Sequence, residues 1–159
     1  MIKSKIFVTL AAFLALATML ATTPVLGQEW SAAQKEVWKT VETMWELYGK
    51  GDVEGELAYA DDELSLWLQD APLPVNKASF RKWATYGAKV EQTVIYELKP
   101  VAILVFPECA LVHYYISGVW KSGPLEKGQF GTTRITDVYR NKGGKWLWIG
   151  GHNTDVPQK

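Results

Sequence analysis

The order of hydrophobic patterns constrains this chain most: three helical segments come first, then consecutive strands run from about Val90 to His152. Residues 93–96 are β-branched and aromatic, and residues 101–106 form a nearly continuous apolar run. Pro100 stands between them and has no N–H to give to a ladder, so a bulge or bend is expected there rather than an unbroken central strand. Pro107-Glu108 turns the chain into a strand over 110–120, Gly123-Pro124 into another over 130–139, and Asn141-Lys142-Gly143-Gly144 into a last one over 146–152. That final turn carries the Asn and Gly residues a tight hairpin needs. Helices followed by antiparallel strands predict an α+β domain with the helices packed on one face of a curved sheet.

The helices have readable ends. Ser31 is an expected N-cap, and Gln34 completes a capping box with it. Val37, Trp38, Val41, Met44, Trp45 and Tyr48 then recur at helical spacing and give the first helix one strongly apolar face. Gly49 and Gly51 end it. Asp52 can cap a short second helix to about Ala60, with Leu57 inward. Asn76 can cap a third, in which Phe80, Trp83, Ala84 and Gly87 share a face. A short strand over 64–68 places Leu64, Leu66 and Leu68 on one side, and Pro72 and Pro74 make the link to the third helix a loop.

The N-terminus addresses the compartment. Lys3 and Lys5 precede an apolar run from 6 to 20, and Thr22-Thr23-Pro24 breaks it before Val25-Leu26-Gly27. A charged start, a short apolar core and a small-residue exit describe a secretory signal peptide over 1–27, removed near Gly27. An uncleaved anchor is the alternative, although a spanning helix wants about 20 apolar residues. Export would leave 28–159 as one domain, in the periplasm or outside the cell. Both lysines leave with the signal, so 15 basic residues face 17 acidic ones. That balance offers no basic stripe for nucleic acid or an anionic membrane. Cys109 is the only cysteine, so the fold must stand on packing without an internal disulfide.

Local motifs sharpen the fold. Gly51-Asp52-Val53-Glu54-Gly55 resembles the link between the first two helices of the nuclear transport factor 2-like superfamily. Ala60-Asp61-Asp62-Glu63 is similar to the entry of its first strand, and residues 134–140 with Gly144-Lys145-Trp146 and His152 to its closing hairpin. The resemblance covers residues 31–154 and points to the SnoaL-like branch. It implies a cone of three N-terminal helices on a curved, mainly antiparallel sheet. The superfamily includes ketosteroid isomerases, but their catalytic positions fall here at Met44, Trp67 and Thr136, none of which can do that proton chemistry.

The resemblance also implies that Arg134 and Thr136, which share a strand face with Thr132 and Val138, look into the cone. Arg134 could there clamp a carboxylate or enolate oxygen, and Asp137 on the opposite face would be structural or solvated. His152 shares strand parity with Trp146 and Trp148 and is expected at the rim of the same cavity. His113, on a face with Leu111 and Tyr115, is a second titratable candidate. Trp45, Trp67 and Trp120 are the expected aromatic lining, against the plainer alternative that they are core, and Tyr115 is a further expected ligand contact. Ala110, Val112, Tyr114 and Ile116 share the face of Trp120, which must meet the core or a partner. The two histidines stand at no metal-ligand spacing, and no cofactor motif occurs.

The expected function is therefore an exported protein that binds a small, largely apolar molecule bearing an anionic or carbonyl group. Catalysis of the cyclase, isomerase or dehydratase type, with His152 or His113 moving a proton, is the alternative. A third reading is an interaction module, since related domains often form homodimers through the outer sheet face.

Overall fold

The computed structural model describes residues 29–69, 71–123 and 127–157. The expected signal peptide lies outside them. Among the described residues three helices form, α1 (Ala32–Gly49), α2 (Val53–Leu57) and α3 (Lys77–Val90). Ser31 caps α1 with the reciprocal Ser31–Gln34 box, Asp52 caps α2 through the Gly55 amide, and Asn76 caps α3 through the Ser79 amide. The Gln34 side chain also donates to the Ile103 carbonyl at 2.8 Å, which ties the start of α1 to the sheet. Gly51 has φ +69°, where a side chain would be strained, and this turn lets α2 fold back after α1. No described helix is long and apolar enough to cross a membrane.

The strands are β1 (Ala60–Trp67), β2 (Val75–Asn76), β3 (Glu91–Val105), β4 (Cys109–Ser122), β5 (Gln129–Lys142) and β6 (Lys145–Asp155). They build one sheet in the order β2-β1-β6-β5-β4-β3, antiparallel except where β1 runs parallel to β6. Pro100 sits in β3, and the β3–β4 register shifts between Pro100 and Ala102. β3 is an edge strand, so the missing N–H and the bulge cost little ladder.

Side chains on the helix side of the sheet are Ala110, Val112, Tyr114 and Ile116 from β4 and Ile135, Asp137 and Tyr139 from β5, all buried. They close on Val37, Trp38, Val41 and Met44 of α1. The edge of Trp38 meets the Tyr114 ring with centroids 5.8 Å apart. At the other end Leu57, Ala60, Leu64 and Leu66 pack with Phe80 and Trp148. The acidic run entering β1 joins ion pairs: Arg140 reaches Glu63 at 2.8 Å and Asp61 at 3.7 Å, while Lys77 meets Asp62 at 2.9 Å.

Alternation along β6 breaks at one residue. Tyr139 pairs with Trp148 and Val138 with Gly150, so Ile149 is the extra residue of a bulge. Trp148 consequently turns to the helices while His152, paired with Thr136, turns away from them. The expected shared parity of Trp148 and His152 fails for that reason.

Candidate functional site

Between helices and sheet lies a polar network centred on Asp137. Its carboxylate accepts from the Tyr114 hydroxyl at 2.8 Å, the Trp148 indole N–H at 2.9 Å and the Tyr139 hydroxyl at 3.5 Å. The Trp45 indole N–H donates in turn to the Tyr114 oxygen at 2.9 Å. Burial pushes the Asp137 carboxyl up to about 6, even though these three donors pull the other way. Gly151 makes room for the network, because a Cβ there would overlap Asp137 Oδ1 and stand 2.9 Å from the Thr136 carbonyl. Asp137 is thus a buried core carboxyl rather than a solvated one.

A cleft of about 120 Å³ opens between the end of α1, α2, α3 and the start of β3. Tyr48, Gly51, Glu56, Ala88, Glu91 and Gln92 are among its walls. Glu56 is only 7% exposed. Its carboxyl accepts no hydrogen bond from any described residue, and burial alone pushes it up to about 7. At the mouth, Glu91 Oε2 accepts from the Tyr48 hydroxyl at 3.1 Å. Burial, then the charges of Glu91 and Glu56, raise the Tyr48 phenol far above its usual range. Lys50 also borders the cleft, but its ammonium is held by Glu46 at 2.6 Å. The walls therefore carry two carboxyls and one cation already engaged elsewhere.

The site residues expected from sequence fall in different places. Trp45 is inside the cone, in the Asp137 network. Trp120 lies over two glycines of the sheet: a Cβ on Gly118 would stand 2.9 Å from its ring, and one on Gly131 3.6 Å. Trp67 is 50% exposed and donates its indole N–H to the Ala71 carbonyl at 3.2 Å. The expectation that Arg134 and Thr136 look into the cone is corrected. They turn away from the helices, because Ile135 and Tyr139 take the buried face of β5 and carry Asp137 with them. His113, Tyr115 and His152 share that outer face through the pairs His113↔Thr136, Tyr115↔Arg134 and Thr136↔His152. His113 Nδ1 lies 2.8 Å from Thr136 Oγ1, His152 Nδ1 lies 3.0 Å from the Trp67 carbonyl, and His152 Nε2 lies 2.9 Å from Thr154 Oγ1.

Sequence reasoning missed Glu56, Glu91 and the inward role of Asp137. The parity of Ile135 and Tyr139 could have signalled Asp137. Glu56 reads as a polar helix residue until the short α2 is folded under its neighbours. Among the described residues no group of three or more His, Cys, Asp or Glu side chains is placed to hold a metal ion.

The architecture is the nuclear transport factor 2-like cone. No family model and no curated protein matches the sequence. Solved structures match at full probability. A ketosteroid isomerase-like protein from Erwinia carotovora atroseptica superposes with TM-score 0.71 at 10% identity, covering 81% of this chain and 100% of that one. A nuclear transport factor 2-like protein from Cytophaga hutchinsonii gives 0.68 at 16% identity, covering 79% and 100%. Another, of unknown function, from Pseudomonas putida gives 0.63 at 20% identity, covering 80% and 89%. At such identities the likeness carries the fold and nothing finer.

Proposed function

We propose that this chain is an exported small-molecule-binding protein whose ligand enters the cleft beside Glu56. One observation carries the reading: a buried carboxyl that accepts no hydrogen bond from any described residue forms part of the wall of an open cavity. A group in that state costs stability unless something it binds offsets the cost. This reading moves the ligand from the expected aromatic-lined interior, where Tyr114, Tyr139 and Trp148 already donate to Asp137, to the cleft beside Glu56. Fragment screening by solution NMR on residues 28–159 tests the proposal. Fragments that bind should move the amide signals of Glu56, Ala88 and Gln92, and Glu56→Gln should weaken them. Fragments that bind only elsewhere would contradict it.

Catalysis is the second reading, favoured by the position of the Glu56 proton equilibrium. A carboxyl that titrates near neutrality can both give and take a proton. The proton carrier would then be Glu56 rather than His152 or His113, which stand on the far side of the sheet. That far side favours a further proposal, a homodimer through the outer sheet face. Ile95, Leu104, Tyr115 and Phe130 stand exposed there beside Arg134 and His113, and a second copy would cover them.

A further inference from the structure

We infer that the cleft selects a compact organic cation, a primary amine whose ammonium sits between Glu56 and Glu91. The inference rests on the cleft reading above and adds the charge and size of the ligand.

Charge comes from the walls. Glu56 and Glu91 are the carboxyls there, both acting on the Tyr48 phenol, and the Lys50 ammonium is occupied by Glu46. An anionic ligand would meet uncompensated carboxylates. A neutral hydroxyl would give Glu56 one hydrogen bond but no charge to favour its ionised form. An ammonium brings three N–H donors and a positive charge, which satisfies the lone acceptor and favours its ionised form. The Tyr48 oxygen keeps its lone pairs free to accept a further N–H while its own proton goes to Glu91.

Size comes from the volume. A cavity of about 150 Å³ holds benzene, with six heavy atoms. This one is smaller, about 120 Å³. Val53, Ala84 and Ala88 give the rest of the wall short apolar side chains, which suits a short alkyl body. A longer chain would have to leave through the mouth.

The test uses three probes of nearly one shape, n-propylammonium, n-propanol and propionate, titrated into the mature chain while amide signals are followed. At mildly alkaline pH, where Glu56 is ionised, n-propylammonium should move the signals of Glu56, Ala88 and Gln92 and bind at least about tenfold more tightly than the other two. Glu56→Gln and Glu91→Gln should each remove most of that preference, in variants whose unperturbed spectra show the fold retained. Preferential binding of n-propanol or propionate in the cleft would overturn the inference while leaving the cleft as the binding site. No response in the cleft to any probe would overturn both. Binding of n-propylammonium with equal strength to both variants would place the cation elsewhere and overturn the inference.

Discussion

At the scale of single residues, two acids are held where water is scarce. Burial raises Glu56 from 4.5 to about 7 and Asp137 from 3.8 to about 6. Both folded-state values exceed the unfolded ones, so folding favours the protonated forms. Their contribution is complete below the unfolded values and is lost as pH rises through about 6 to 7, with an upper bound on the order of 3 kcal/mol for each group. Glu56→Gln should therefore raise the thermal midpoint at about pH 8 and leave it nearly unchanged at about pH 4. Equal shifts at both pH values, measured by calorimetry, would refute the assignment. Asp137 differs because its donors are in place. Gly151→Ala would push a methyl group into Asp137 Oδ1, and a loss of about 2 kcal/mol or more is expected in chemical denaturation.

At the scale of elements, legibility tracked local signals. Caps at Ser31, Asp52 and Asn76, the Gly51 turn and the interruption at Pro100 are written in adjacent residues, and the structure has each of them. The far half of β6 was misplaced because one extra residue at Ile149 reverses which of its side chains look inward, a bulge whose local sign is the Gly150-Gly151 pair beside it. That slip turned His152 away from the cone, whereas Arg134 stands outside because Ile135 and Tyr139 take the buried face of β5 and carry Asp137 inward. Glu56 escaped notice because its burial comes from long-range packing of α1, α3 and β3 around a five-residue helix. α3 offers a test of its own. A Cβ on Gly87 would meet only Glu91 Oε2, at 3.8 Å. Gly87→Ala should stabilise the chain by up to about 1 kcal/mol, read from the urea midpoint, and a lower midpoint would show the helix more tightly packed there than described.

At the scale of the whole molecule, the sheet separates two chemistries. Its helix side holds the buried acids and the cleft; its outer side holds Arg134, His113, His152 and exposed aromatics. If a second copy covers the outer side, Phe130→Glu and Tyr115→Glu should convert a dimer to a monomer in sedimentation velocity without moving the Glu56 amide signal. A monomeric native chain at high concentration would refute the dimer. The cleft can be tested without knowing its ligand, by following the Glu56 side-chain carbon through a pH titration by NMR, with and without n-propylammonium. The predicted midpoint for the free protein is about 7, moving downward when the amine binds. A midpoint at the ordinary carboxylate value of 4.5, unmoved by the amine, would contradict the account.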